Sequence, residues 1–384
     1  MAQNQHVTKP WYSSITIDLL LHIASYTFLH PFVAWMIPLC LRAQVTPYEH
    51  LSMIISIAYA SILTAFFFFN LINKRIAYGL PREVDFEEEV IVITGGASGL
   101  GLLLAKVYGM RGASIAVLDV KGVNEAETPG VEYYRCDVGD VNQIRQVAKR
   151  IEKDLGTPTI LINNAGVVNG KPLLSLTTEE VERSFRVNLL AHFHTLQTFL
   201  PGMLHKGRGT IVTVSSVLGH LGAARLSDYT AAKAGLIAMH TSLTAELADH
   251  PEIKTLLVTP AQLSTDLFRG VQTPSNFFAP VVESTEVVKE IIAAIDNGVS
   301  GEISMPLYAR WIGLMGILPA GLQKILRWAS GVDRAMKSFQ GSSTINEYKP
   351  CEPESLEESS QSQLWEVTPE KLVWDDEDDS LVKL

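Results

Sequence analysis

Ser216, Tyr229 and Lys233 are residues whose types and spacing could move a proton: the tyrosine follows the serine by 13 positions, and the lysine follows the tyrosine by four. A four-residue step on a helix puts the phenol and the amine on one face. A free phenol titrates near ~10 and is a poor base at neutral pH, but a neighbouring ammonium favours its ionised form. Tyr229 is therefore the expected proton-transfer group, with Lys233 as its electrostatic support. Ser216 is the hydroxyl placed to hold a substrate oxygen.

A second stretch, Val90 to Gly101, reads Val-Ile-Val-Ile-Thr-Gly-Gly-Ala-Ser-Gly-Leu-Gly. Its apolar, mostly β-branched opening predicts a buried parallel strand, and the glycines break that run before a helical pattern begins at Leu102. Gly95 allows a tight turn, Gly99 lets backbone N–H groups approach a pyrophosphate, and Gly101 lets the new helix pack close to its strand. The helix N-terminus then faces the phosphates. Asp119, at the end of a second strand, lies 18 residues beyond Gly101, where a carboxylate would accept a ribose hydroxyl.

The elements that position these groups alternate. Strands are expected at Ser114 to Asp119, Gly130 to Asp137, Thr159 to Asn163, Gly209 to Ser215, Ile253 to Thr259 and Glu302 to Met305. Helices are expected over Val141 to Leu155, from a Thr177/Glu180 capping box to about Leu204, over Tyr229 to Ala248, and from Ser284 to Gly298. Such alternation predicts an α/β fold with a doubly wound parallel sheet covered on both faces, its ligands lying beyond the strand carboxyl ends.

Outside residues 81–305 the character changes. Leu51 to Ile72 holds 22 residues without a charge, long enough to cross a membrane, whereas Ile15 to Leu41 is interrupted by Asp18, His22, His30, Pro31 and Pro38. A membrane anchor over residues 1–80, of one or two spans and in the latter case a hairpin, is expected. Lys74, Arg75 and Arg82 after the second segment place the body on the cytosolic side. Residues 306–340 interleave Trp311, Ile312, Leu314, Ile317, Leu322, Ile325 and Trp328 with Arg310, Lys324, Arg327, Arg334 and Lys337, the pattern of an amphipathic element on a membrane surface. Packing on the protein core would produce a similar pattern. Residues 341–384 read as an acidic disordered tail.

Charge narrows the function classes. The net charge is −10, but residues 351–384 carry 11 of the 41 acids and 2 of the 31 bases, so the body is nearly neutral and shows no nucleic-acid signature. Cys40, Cys136 and Cys351 are too scattered for a disulfide framework or a zinc site, and His192 and His194 diverge on their helix, so no metal is expected.

Taken together, Thr94-Gly-x-x-x-Gly-x-Gly101, Asn163-Asn-Ala-Gly166, Asn188, Ser216 and Tyr229-x-x-x-Lys233 resemble the short-chain dehydrogenase/reductase family over about residues 88–305. The resemblance implies a Rossmann-type fold and hydride transfer with a nicotinamide cofactor, whose positive ring would further favour the Tyr229 phenolate. It implies a catalytic tetrad of Asn188, Ser216, Tyr229 and Lys233, with the Asn188 backbone fixing a water that links Lys233 to solvent. It implies cofactor contacts from Thr94, Gly95, Ser98, Gly99, Leu100, Gly101, Asp119, Asp137, Val138, Asn164, Ala165, Gly166, Tyr229, Lys233, Pro260 and Thr265. Pro260-Ala261 departs from the family's usual Pro-Gly, which puts the Thr265 contact in question. Asp119 argues for NAD, and Lys121 nearby keeps NADP as the alternative. Ser216, Leu218, Tyr229, Leu263 and Phe268 are the expected substrate contacts, flanked by apolar Leu221, Ala223, Leu226, Phe277 and Phe278. Within the family, the membrane segment and the C-terminal stretch resemble the membrane-bound retinol and 17β-hydroxysteroid dehydrogenase 11 type. That implies a lipid alcohol or ketone as substrate and residence on the endoplasmic reticulum or lipid droplets. Relatives of this kind also pair as homodimers through helices equivalent to residues 178–204 and 229–248.

Overall fold

In the computed structural model, which describes residues 16–121, 130–271 and 280–339, seven parallel strands form one sheet. They are β1 (Val90–Thr94), β2 (Ser114–Asp119), β3 (Val131–Arg135), β4 (Ile160–Asn163), β5 (Gly209–Val214), β6 (Ile253–Pro260) and β7 (Gly301–Met305). The order is β3-β2-β1-β4-β5-β6-β7. β1, β4, β5 and β6 are buried along their whole length, as helix-covered parallel strands must be. The chain runs outward from β1 in one direction, returns, and runs outward from β4 in the other. The crevice between β1 and β4 is therefore the switch point where such sheets bind ligands.

One layer of helices comprises α4 (Gly99–Gly109) and α9 (Ser284–Asp296), whose Leu104, Tyr108, Val287 and Ile291 are fully buried in one core cluster. The other comprises α5 (Val141–Asp154), α7 (Ala191–Lys206) and α8 (Ser227–Glu246), which share a second cluster. The helix expected from Thr177 to about Leu204 is instead two helices. The capping box starts α6 (Thr178–Phe185) as expected, but a single π-helical turn, Arg186–Leu190, separates it from α7. Such turns insert one residue and recur at functional sites; this one contains Asn188.

At the N-terminus, α1 (Ile17–Tyr26) and α2 (Pro31–Ala43) are bent by 54° across the break at residues 27–30, and α3 (Leu51–Tyr78) packs beside α2. α3 is long and apolar enough to cross a membrane, and only 17% of its most apolar window is buried by protein. The link from α3 to the sheet is tightly held. Arg82 donates from its backbone to Gly298 (2.9 Å) and from its side chain to Thr210 (2.8 Å) and Glu89 (2.8 Å). Arg82 is thus committed to a buried ion pair rather than to a membrane-flanking charge, which corrects the use made of it in the orientation argument. Gly298 is required beside it: its φ is +59°, and a Cβ there would lie 1.9 Å from the Arg82 carbonyl oxygen.

The Glu89 carboxylate also accepts from Thr159, so both its oxygens are engaged and it is 1% exposed. Removing one partner of a buried pair leaves the other charge unpaired, at a typical cost of 3–5 kcal/mol. We expect Glu89→Ala to lose about 3 kcal/mol in chemical denaturation and Arg82→Met/Glu89→Leu to recover most of it. Equal stability of Glu89→Ala and the parent would contradict this.

Candidate active site

The glycine turn lies at the carboxyl end of β1. Gly95 adopts φ +65° and Gly99 φ +54°, and a Cβ at Gly101 would come within 2.5 Å of the Gly95 carbonyl oxygen. Ser98 is the N-cap of α4 in an extended conformation, yet its side chain makes no capping bond to the first-turn N–H groups. An uncapped helix start lined by glycines fits a dinucleotide pyrophosphate. Asp119 closes one side, its two oxygens accepting from the backbone N–H groups of Ala97 and Lys121 (3.0 Å each). Thr94 and Asn164 knit the walls of the crevice together. The Thr94 hydroxyl accepts from Asn164 N (3.0 Å) and Ala165 N (3.1 Å), while the Asn164 amide donates to the carbonyls of Thr94 and Gly95. Asp137 turns the next loop by accepting from Gly139 N (2.8 Å), with Val138 buried beside it. Thr265 lies across the crevice: its Cγ2 would be 3.4 Å from a Cβ on Gly99.

The four tetrad residues converge beyond the ends of β4 and β5. Tyr229, in the first turn of α8, is 3% exposed and hydrogen-bonded to Ser216. Ser216 follows β5, and its hydroxyl contacts the Pro260 carbonyl (3.4 Å) and accepts from Leu218 N (3.2 Å). One turn along α8, Lys233 donates from Nζ to the Val214 carbonyl (2.9 Å), its nitrogen 5.8 Å from the centre of the Tyr229 ring. Asn188 clamps the loop after β4 from both sides. Its Oδ1 accepts from Val167 N (2.9 Å), and its Nδ2 donates to Val167 O (2.9 Å) and Ser184 Oγ (3.2 Å). A Cβ on Gly166 would be 3.2 Å from Asn188 Oδ1 and 3.9 Å from Lys233 Nζ, so these two side chains flank the Gly166 backbone.

The electrostatics of the protein groups run opposite to the sequence expectation for Tyr229. Burial pushes its phenol up to about 12, with the Ser216 hydrogen bond as the opposing influence. Burial also pushes Lys233 down to about 8. The low-dielectric pocket disfavours either charge alone, and the phenolate needs a further positive partner.

A family model described as short chain dehydrogenase matches residues 89–276. The chain is 34% identical over 252 residues to an uncharacterised oxidoreductase of Saccharomyces cerevisiae, covering 63% of this chain and 82% of that protein. The chain belongs to the short-chain dehydrogenase family. It is 35% identical over 252 residues to human retinol dehydrogenase 10, covering 56% of this chain and 74% of that protein. Among solved structures it resembles a short-chain dehydrogenase from Burkholderia cenocepacia J2315 in complex with NADP, with a TM-score of 0.53, 26% identity, and coverage of 64% of this chain and 99% of that one. The Thermoplasma acidophilum aldohexose dehydrogenase shares the fold at a TM-score of 0.50 and 22% identity, over 56% of this chain and 91% of that one. The protein is accordingly an NAD(P)-dependent oxidoreductase of the alcohol dehydrogenase type, homologous to retinol dehydrogenases.

Around Tyr229 this dehydrogenase builds an apolar wall. Phe268 meets the phenol ring edge-on (centroids 5.7 Å apart, 86°), and Leu218, Ala223, Leu226 and Val168 join the same cluster. Leu263 bridges to Val282 and packs on the α4/α9 core cluster. Phe277 and Phe278 fall outside the described residues.

The C-terminal extension also reaches the site, a contribution the sequence pattern did not reveal. Met336 and Phe339 pack into the Tyr229 cluster, and Ala309, Tyr308 and Ile312 pack on Val217, Leu218 and Ala261. Between these two footholds lies α10 (Ala320–Ser330), which has no buried residue and leaves Ile325 and Trp328 exposed, as are Trp311 and Ile317 before it. The backbone N–H of Leu307 donates to Asp18 Oδ1 (3.1 Å), tying the start of the extension to α1.

Lys233 makes the site costly. Its folded value of about 8 lies below the ordinary 10.5, so the unfolded chain holds this proton more readily. The penalty is fully present below pH 8 and disappears as pH rises from 8 towards 10.5. Lys233→Met should therefore be more stable than the parent at pH 7 by about 2–3 kcal/mol, the gap closing above pH 10, while turnover is lost. A denaturation series against pH in which Lys233→Met is never the more stable protein would contradict this assignment.

Proposed function

We propose that this protein is a membrane-anchored, NAD-dependent oxidoreductase that moves hydride between the nicotinamide C4 and the hydroxyl or carbonyl carbon of an apolar lipid such as a retinoid, a steroid or a fatty alcohol. The observation that carries this reading is the setting of Tyr229: a buried phenol bonded to Ser216, with Lys233 at its ring, in an apolar wall built jointly by Leu218, Leu226 and Phe268 and by Met336 and Phe339 of the C-terminal extension. When bound, the nicotinamide takes or gives the hydride. Ser216 holds the substrate oxygen, and the Tyr229 phenolate takes the hydroxyl proton as the carbon loses hydride and the carbonyl forms. Lys233 stabilises the phenolate, and Asn188 fixes the Val167 loop against which Lys233 lies. Gly95, Ser98, Gly99, Leu100 and Gly101 would hold the pyrophosphate, Asp137 and Val138 the adenine side, and Pro260 and Thr265 the nicotinamide side. The Asp119 carboxylate favours a free ribose 2′-hydroxyl over a 2′-phosphate, and hence NAD over NADP.

The α2–α3 hairpin would anchor the protein, with residues 306–339 lying on the same membrane surface and the catalytic body in the cytosol at the endoplasmic reticulum or lipid droplets. The resemblance to retinol dehydrogenases and the apolar, protein-free face of α3 support this placement. Exposed Leu190 and Phe193 on the helices that pair in relatives support a homodimer.

We expect detergent-solubilised protein to reduce NAD with apolar alcohols from a panel of retinoids, sterols and fatty alcohols, and not with sugars, as followed by the absorbance of the reduced cofactor. Tyr229→Phe should lose about 10²–10⁴-fold in turnover while retaining NAD affinity by calorimetry. Near-parental turnover in that variant would overturn the mechanism, and preference for sugars would overturn the substrate class.

A further inference from the structure

The C-terminal extension grips the site at two places, and both lie against the reacting pair. Ser216 is followed by Val217 and Leu218, on which Tyr308, Ala309 and Ile312 pack, and a Cβ on Gly313 would lie 3.6 Å from Nδ1 of His220 in the same loop. Met336 and Phe339 pack instead around Tyr229, with Val168, Leu226 and Phe268. Leu218 belongs to both groups, so the two grips meet at the Ser216–Tyr229 pair. The second grip is close. Met336 is buried, and the Phe339 ring sits flush on the Gly170 backbone, where an added Cβ would fall 2.2 Å from its Cδ1 and 2.3 Å from its Cε1. Only glycine leaves room for that ring.

The segment that bears these two residues is fixed to the loop before Tyr229. Asp333 accepts from the backbone N–H of Ala224 (3.3 Å) through Oδ1 and from Arg327 Nε (3.2 Å) through Oδ2. Ala223 and Leu226, on either side of this point, pack in the Tyr229 cluster, and Arg225 between them holds φ +66° without being glycine. A side chain in that conformation is uncommon and persists where its surroundings impose it. Wall and loop are thus set together.

We propose that Met336 and Phe339 are the specificity-determining residues of this site: they close the space beside the reacting carbon, so that it takes primary alcohols on a slim, unbranched apolar chain and rejects secondary alcohols whose carbinol carbon sits in a ring. The inference rests on the reading of Ser216 and Tyr229 as the groups that hold the alcohol oxygen. Both residues are closed in, at 5% and 3% exposure, so the groups attached to the carbinol carbon must fit among the apolar side chains packed there. A primary alcohol brings one carbon substituent to that place, whereas a ring alcohol brings two, held apart. Close-packed side chains yield little, and the second branch meets a wall. Met336 and Phe339 lie beyond the strands and helices that carry the tetrad, so either can be shortened without touching those elements.

The test compares dodecanol with cyclododecanol, two apolar alcohols of equal carbon count, as substrates of the full-length protein in detergent with NAD. The parent should favour dodecanol in kcat/KM by at least about tenfold, the discrimination a pocket gives against a misfitting carbon or two. Phe339→Ala and Met336→Ala should each shrink that preference by about tenfold, through a better kcat/KM for cyclododecanol, with kcat for dodecanol close to the parent's. A parent that favours cyclododecanol, or one preference shared by the parent and both variants, would overturn the proposal. So would an equal loss on both alcohols, the mark of a merely structural role. None of these results touches the Tyr229 mechanism, whose failure shows separately, as an active Tyr229→Phe or as a parent that oxidises neither alcohol; this inference then falls with it.

Discussion

A lysine held in a closed pocket is the constraint on which the rest of this structure depends. Lys233 is 3% exposed, bound to the Val214 carbonyl, and pushed down to about 8 by its burial, while the phenol above it is pushed up to about 12. Neither group is set for proton transfer by the protein alone. On the proposed mechanism, a positively charged cofactor held in the crevice would supply the further partner that favours the phenolate, because attraction between opposite charges grows as water is excluded. The same exclusion of water that destabilises the resting protein makes the loaded site responsive.

The fold accounts for how these groups meet. β1 and β4 diverge at the switch point and leave a crevice, whose walls the Thr94 hydroxyl and the Asn164 amide sew together. β5 delivers Ser216, and α8 brings Tyr229 and Lys233 onto one stripe facing it. The π turn at Arg186–Leu190 carries Asn188, whose side chain locks Val167 beside Lys233. At the opposite ends of the strands, the Arg82–Glu89 pair and the Lys254 ammonium, which binds the Leu80 carbonyl (2.6 Å), fix the chain leading from α3. The segment that follows α3 is thereby held to the sheet.

Much of this was legible in the residues. The strands begin and end within two positions of expectation, because buried parallel strands are continuous apolar runs bounded by glycine or polar breaks. The glycine turn and the Tyr229/Lys233 stripe were legible because each depends on local spacing. What escaped depends on contacts distant in the chain or on geometry without a residue signature. No residue type announces a π turn, so one helix was expected where two are found. Arg82 read as a membrane-flanking cation because its partner Glu89 sits in a run of acids that looks solvated. Met336 and Phe339 lie more than a hundred residues from Tyr229, and only the folded chain brings them to its ring. His192 was weighed in the sequence only as a metal ligand, since burial without a partner is a three-dimensional property.

The most direct measurement is an ultraviolet difference titration of Tyr229 ionisation, taken against the Tyr229→Phe background, with and without saturating NAD. The account predicts that the phenol ionises near 12 in the free protein and several units lower with NAD bound, and that Lys233→Met abolishes most of the drop. Ionisation of Tyr229 at the same pH with and without NAD would contradict it.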